Sequence, residues 1–450
     1  MQRHGIDSTG VLKAYDKVTG IFNEIFDSRL LTAAFFALIG YCTLFMQRKF
    51  PMRWMIFVLF GMILLGFVTL TARSGAKEGV RFSPAMAGFW LAAHGMMVVS
   101  GLFYQDWLPE SVPLLLLYPV VFAVLASRED ESTFRSILRG AVFAVLPFLV
   151  WSYVTVPVTF GYPGYKGVFY DANTLSMSCN VMATAAAVLT YASAAKKRVW
   201  SAVGYGACAL LAAVTLALTL SRSGLLALAG VVCVLAIALI AGTAKHPLRL
   251  LCALLCAMLL IGGAGVRITM DKMHEAAVED YEAELIYAKE HNEDPALVPL
   301  PEERGITMDA LTSDRWGIWV AIMNNLTWNG HKTSVVEEWV ATDAAEGAGT
   351  RRFNAHNAFL GVVYNNGFIA GALMIAYSVL ACVRAAMYYW AHRKLSPYAA
   401  TPLAFCAMFV LVGMFESVYA PFSIIGCSYL LVQAPLWRAD LTRSTAEKIG

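Results

Sequence analysis

Apolar runs long enough to cross a bilayer, which takes about 20 residues, recur along this chain from residue 30 to residue 437. Twelve windows are read, at 30–46, 54–72, 84–104, 111–127, 140–158, 174–195, 199–220, 225–242, 248–266, 357–383, 398–415 and 419–437. In hydrocarbon a segment must satisfy its own backbone donors and acceptors, so at this length only helices serve. The expected class is an all-α integral membrane protein of about 12 transmembrane helices with one large, partly helical loop. Only 14% of the 450 residues are charged, against about 25% in soluble domains. No Walker A or Rossmann fingerprint is present. All nine cysteines fall inside apolar runs, so no disulfide is expected. Residues 1–28 are polar and mixed in charge, so no cleavable signal peptide is expected. An amphipathic helix at 9–27 fits weakly.

An even number of crossings puts both termini on one side, and basic residues mark that side as cytoplasmic. With the termini inside, the inner segments hold 21 Lys/Arg and the short outer loops only 5, among them Arg222. The first outer loop, with Arg48, Lys49 and Arg53, is the exception. Residues 1–266 then form an N-terminal membrane domain, 267–355 an outer loop domain and 356–450 a C-terminal membrane domain. The loop carries 17 Asp/Glu against 8 Lys/Arg, so it is acidic. Asp271 to Glu293 reads as a helix broken by the prolines from Pro295 onward. A second helix fits 309–326, capped by Asp309, with Trp316, Trp319, Ile322 and Met323 on one face. Trp328-Asn329-Gly330 ends it.

Four polar constellations share the outer face. Ser221-Arg222-Ser223-Gly224 is a tight turn between two spans. An arginine there is costly unless an anion or water meets it, and its fork suits phosphate oxygens; a snorkelling interfacial arginine is the plain alternative. Asp171-Ala-Asn173 follows a glycine- and tyrosine-rich stretch. Asp171 fits a helix cap, and Asn173 is harder to explain structurally. Asp314-Arg315-Trp316 lies on the loop helix, where a surface ion pair would be minor. His356-Asn357 follows Arg351 and Arg352 where the loop returns to the membrane. Imidazole exchanges protons near neutrality, and the arginines would favour its neutral form. For a lone histidine, a hydrogen bond to backbone is the commoner state. His94, mid-span, reads as buried and structural. Asp106, Glu110 and Glu416 also reach the outer face without a diagnostic spacing, and no metal-ligand cluster is seen.

With these residues in view, the chain resembles the O-antigen ligase and O-antigen polymerase superfamily of bacterial membrane glycosyltransferases, and more the ligases. The resemblance spans most of the chain and rests on three motifs in order: SRSG after the seventh span, SDRWGIWVAIMNN before a Gly-His, and HNAFLGVVYNNG, in which Gly367 follows His356 and Asn357. Ala370 three residues after that glycine is a mild departure. The resemblance implies an inner-membrane enzyme acting on the periplasmic face. Its donor would be a glycan on undecaprenyl pyrophosphate, and its acceptor lipid A–core for a ligase or another lipid-linked repeat for a polymerase. It implies no cofactor and no metal, His356 as the base, and Arg222 and Arg315 as the catalytic cations. Asn357, Asn173, Asp171, Arg351 and Arg352 would contact substrate. A transporter of lipid-linked glycan is the rival from another class. Transporters place ionisable groups near the midplane, whereas here they gather at the outer edge.

Overall fold

The computed structural model describes residues 28–47, 53–73, 80–104, 108–158, 164–241, 248–291, 315–332, 335–340 and 349–441. The amphipathic segment 9–27, Asp309 and Asp314 lie outside these residues. Seven helices come first: α1 (Ser28–Phe45), α2 (Trp54–Arg73), α3 (Pro84–Phe103), α4 (Leu108–Ala126), α5 (Asp130–Thr155), α6 (Ala172–Ala195) and α7 (Val199–Leu218). Then come α8 (Arg222–Ala241), α9 (Leu248–Glu290), α10 (Trp316–Asn324), the strands β1 (Val335–Val340) and β2 (Gly349–Asn354), α11 (Ala358–Asn366), α12 (Phe368–His392), α13 (Thr401–Gly413) and α14 (Ile424–Val432). Among the described residues eight helices, α1 to α7 and α12, are long and apolar enough to cross a membrane. The protein is therefore a helical membrane protein.

Helix α6 is the axis of the bundle. In its span 94% of the residues are buried, against half or fewer in the other seven. Its sequence explains the position: ANTLSMSCNVMATAAAVLTYASAA is mostly Ala, Ser and Thr, and small side chains let neighbouring backbones close in from every side. Helices α5, α7, α8 and α13 pack around it. In α4, Pro119 has no N–H to return to Leu114 O one wide turn earlier. The helix runs through a π-turn at Pro113–Leu117, and the indole of Trp90 on α3 donates to Leu114 O instead, at 2.9 Å.

Hydrogen bonds between connecting segments define two ends of the bundle. At one end Tyr170 N donates to Met46 O at 3.0 Å and Tyr165 N to Leu218 O at 2.8 Å. The hydroxyl of Ser100 donates to Asn329 O at 2.6 Å there. At the other end Ser83 N donates to Trp437 O at 2.8 Å, Lys196 pairs with Glu131, and Arg438 grips Asp130 at 2.6 Å. All four sequence constellations belong to the first end.

The structure redraws several sequence boundaries. The 140–158 window is the later part of α5, which begins at Asp130. The 248–266 window and the helix expected over 271–293 are one helix, α9. A Cβ on its Gly265 would meet Ala217 and Leu225 at 3.1 Å, so Gly265 stands level with the first end. At about 1.5 Å per residue, the remainder to Glu290 reaches roughly 35 Å beyond it. The 357–383 window is two helices, broken at Gly367 with φ +90°. The 419–437 window is α14 followed by a 3₁₀ turn at Ala434–Trp437. In α10 the buried residues are Ile318 and Ile322. Trp316 and Met323, expected to share the apolar face with Trp319, are exposed. The loop also carries an antiparallel ribbon, with Glu337 opposite Arg352 and Glu338 opposite Arg351. The described cysteines are all free.

Candidate functional site

His356 sits between β2 and α11, and Asn357 fixes where that helix starts. The Asn357 carboxamide oxygen accepts from Phe359 N and Leu360 N, both at 2.9 Å, an N-cap that satisfies two orphan donors of the first turn. Its amide nitrogen donates to Met414 O at 2.9 Å. Both ends of the side chain are thus spent on tying α11 to the end of α13, and Asn357 is a positioning residue here. The preceding His356 is left in the left-handed region, φ +43°, which non-glycine residues adopt at a cost of order 1–3 kcal/mol. That conformation turns the imidazole toward the bundle, where Nδ1 lies 3.6 Å from Glu416 Oε2.

Glu416 organises this half of the site. It ends the turn after α13 and is buried. Its second oxygen, Oε1, accepts from Arg315 Nη2 at 3.0 Å. Arg315 Nη1 donates to Phe415 O, and its side chain is only 12% exposed. A buried charge of this kind stands only when paired, so Arg315 anchors α10 onto α13. The Trp319 indole adds a bond to Ala355 O at 3.0 Å, one residue before the histidine. One carboxylate therefore orients both the histidine and the loop arginine.

A second clasp holds the break between α11 and α12. Thr327 O accepts from Phe368 N at 2.9 Å and Asn365 O from His331 N at 3.2 Å. The rings of His331 and Tyr364 stack at 4.0 Å. The two backbones touch at Gly330 and Gly367, where any Cβ would run into the carbonyls of Asn365 and Trp328 respectively. Both glycines also have positive φ. This is the physical reason that a glycine stands at both positions, in Trp-Asn-Gly-His and in Asn-Asn-Gly.

The Arg222 turn is built on α6. Ser221 Oγ donates to Asn173 Oδ1 at 2.8 Å. Ser176 Oγ lies 3.1 Å from Ser221 Oγ, and Asn180 Nδ2 donates to Gly224 O at 3.2 Å. A Cβ on Gly224 would press on Ser176 at 2.9 Å, so glycine lets the α8 terminus seat against α6. Ser221 and Ser223 are buried while Arg222 is exposed at the first turn. Gly164 (φ +88°) fits against Thr219 O and closes the turn from behind. Asp171 forms a capping box with Thr174: Thr174 N donates to Asp171 Oδ1 at 2.7 Å and Asp171 N to Thr174 Oγ1 at 3.2 Å. Asp171 is thus accounted for by capping, whereas Asn173 joins the arginine turn directly.

Helices α8 and α13 are antiparallel neighbours, with Gly230 against Leu411. The N-terminus of α8, with Arg222, and the C-terminal turn of α13, with Glu416, therefore face the same end. Between the ends of α1 and α2 and the segment 354–366 lies a cavity of about 300 Å³. Asn354, Asn357 and Ser417, the chain neighbours of His356 and Glu416, form one wall. Arg351 and Arg352 lie in β2 beside this segment, by register alone. His94 is buried as expected. Its Nδ1 is 2.8 Å from Trp90 O, which fixes the proton on that nitrogen, and Nε2 accepts from Tyr419 at 2.6 Å. Among the described residues no three His, Cys, Asp or Glu side chains converge on a point.

Sequence reasoning placed Glu416 on the right face but not in the site, because nothing in its neighbourhood marks it as a partner of residues 60 and 101 positions earlier. Ser176 and Asn180 were missed for the same reason. No protein-family model matches the chain, and no curated protein matches it either.

Proposed function

We propose that this protein is an O-antigen ligase of a bacterial inner membrane, transferring a glycan from undecaprenyl pyrophosphate to lipid A–core on the periplasmic side. The observation that carries the reading is the His356–Glu416 pair, whose chain neighbours line a cavity at the same end of the bundle as the Arg222 turn. Three shorter apolar helices, α8, α9 and α13, together with α14, run between the same two ends as the eight longer ones. This supports twelve crossings. Arg73, Arg128, Lys196, Arg384, Arg393 and Arg438 gather at the end opposite the site, which supports a periplasmic site.

The proposed reaction uses these groups as follows. With Nδ1 turned to Glu416, Nε2 of His356 is left to take the proton from an acceptor hydroxyl. The freed oxygen attacks the anomeric carbon and forms the new glycosidic bond. The bond from that carbon to the pyrophosphate oxygen breaks, with inversion, and undecaprenyl pyrophosphate leaves. Arg222, fixed through Ser221 and Asn173, faces the charge that grows on the leaving group. Arg315 acts through Glu416, and Asn357 through the helix it caps. A polymerase would use the same atoms with a lipid-linked repeat as acceptor.

The test uses purified protein in nanodiscs with undecaprenyl-pyrophosphate glycan and EDTA, with and without lipid A–core. Product that requires lipid A–core and vanishes in His356→Ala and Arg222→Ala supports the ligase. Lengthened lipid-linked glycan without that acceptor assigns a polymerase. Near wild-type turnover in either variant sinks the mechanism. Movement of the donor across liposomes with no transfer assigns a transporter.

A further inference from the structure

Another cavity, of about 250 Å³, lies at the end of the bundle opposite the Arg222 turn. It is lined by Ser28, Arg29 and Thr32 at the start of α1, Arg139 and Phe143 on α5, and Tyr205 on α7. Ser136 Oγ donates to Ser28 O at 3.4 Å, and a Cβ on Gly140 would press into Phe35. Helix α1 is therefore seated along α5, which brings the two arginines to one space. Arg139 stands nine residues into α5, about 13 Å from its start, and a cation that far along an apolar span is costly unless something meets it. Arg135, one turn earlier on the same face, adds a like charge, which is unfavourable on a bare helix. The two carboxylates of α5, Asp130 and Glu131, are held by Arg438 and Lys196. Arg139 Nε is withdrawn from solvent without a hydrogen-bond acceptor, and an unmet buried donor is destabilising. The surroundings decide what kind of acceptor reaches it. Leu30, Phe36 and Phe143 are exposed, as are Trp200 and Val203 just before Tyr205. In a chain that crosses a membrane, such side chains meet lipid. The cavity thus sets cations beside lipid-facing side chains, as a phospholipid sets a phosphate beside acyl chains.

We propose that this cavity binds an anionic phospholipid, with the phosphate held by Arg29 and Arg139 and the acyl chains along the exposed sides of α1 and α5. Guanidinium forks grip phosphate oxygens through paired, charge-assisted hydrogen bonds, which gives Arg139 the acceptors it lacks. The Tyr205 hydroxyl is a further donor. Basic pockets between helices on the cytoplasmic side of a membrane are suited to anionic headgroups, and the excess of Lys and Arg marks this end as that side. A lipid bound there touches α1, α5 and α7 together and stabilises the folded bundle by mass action. Lipid binding at this end requires a chain that crosses a membrane and is independent of the transfer reaction proposed above.

Native mass spectrometry of the purified, delipidated full chain in a neutral detergent tests this directly. The probes are phosphatidylglycerol, phosphatidylcholine with the same acyl chains, and inorganic phosphate. Phosphatidylglycerol is expected to bind about tenfold tighter than phosphatidylcholine or better, and to resist displacement by millimolar phosphate. Arg29→Gln and Arg139→Gln are each expected to weaken phosphatidylglycerol about tenfold and to leave phosphatidylcholine unchanged. Arg393→Ala is the control at the same end: its guanidinium stacks on Trp390 at 3.5 Å, outside the cavity, and neither lipid is expected to respond. Equal affinity for the two lipids overturns the proposal, as does undiminished phosphatidylglycerol binding in the Arg29 and Arg139 variants. Displacement by phosphate overturns it in favour of a soluble anion, and an equal loss in Arg393→Ala overturns it in favour of diffuse surface attraction. Should Arg139→Gln fail to fold, Arg29→Gln still decides, because Arg29 is exposed.

Discussion

Replacing Glu416 by glutamine removes the charge on which two site residues converge while leaving the side-chain shape intact. The Arg315–Glu416 pair is 12% and 6% exposed on its two sides. Removing one partner of such a buried pair costs about 3–5 kcal/mol. In Glu416→Gln the amide oxygen still accepts from Arg315, and Phe415 O remains, so the expected loss of stability is about 1–2 kcal/mol, the worth of a hydrogen bond to a charged group. Glu416→Ala loses both acceptor atoms, and the full buried-pair penalty of about 3–5 kcal/mol is expected. Catalysis is affected separately. The carboxylate lies 3.6 Å from the imidazole and faces its Nδ1. Loss of an outer partner of a functional histidine typically costs about 10–100-fold. The expectation for Glu416→Gln is a kcat lowered by about 10–100-fold with the KM for donor little changed, because Arg222 and its supports are untouched. Steady-state transfer kinetics in nanodiscs, paired with thermal unfolding by intrinsic fluorescence, read both quantities. A glutamine variant with wild-type kcat would show that the histidine needs no carboxylate, and a selective rise in donor KM would show that Arg315 holds the pyrophosphate itself.

Further outcomes follow from other contacts. Ser221→Ala breaks the bonds to Asn173 and Ser176 and should raise donor KM several-fold while costing about 1 kcal/mol of stability; an effect on kcat alone would detach this turn from donor binding. Arg222→Lys keeps the charge but loses the fork, and transfer should fall about tenfold or more, whereas full activity would make it a simple interfacial cation. Gly164→Ala, at φ +88° against Thr219 O, should lower the melting temperature sharply through a strain of order 1–3 kcal/mol plus the clash, and an unchanged melting curve would refute that seating. Asp130→Ala at the opposite end removes both acceptor atoms of the buried Arg438 pair; about 3–5 kcal/mol of stability should go with kcat of the surviving protein unchanged, and a specific loss of kcat would tie that end to the chemistry.

What the sequence determined by itself is what depends on local composition. Twenty-residue apolar runs are forced into helices because lipid offers their peptide groups no other partner. The Asp171 cap was legible because a capping residue and its helix are adjacent in the chain. The break at Gly367 was not, since an apolar run reads the same whether it is one helix or two. The fusion of the ninth span with the loop helix escaped for the converse reason: a change from apolar to acidic residues alters the solvent of a helix without ending it. Only the tertiary structure decided which polar residues meet. Glu416 reaches Arg315 and His356 across 101 and 60 positions of chain, and Ser221 reaches Asn173 across 48. Such pairs are fixed by the packing of α13 and α8 around α6, whose small side chains set how closely the helices approach. The sequence pattern placed Arg315, Asn357 and Asp171 on the right face as candidates to touch substrate. Packing turned each toward a partner within the protein, because a buried charge or an open helix end must be satisfied before any substrate arrives.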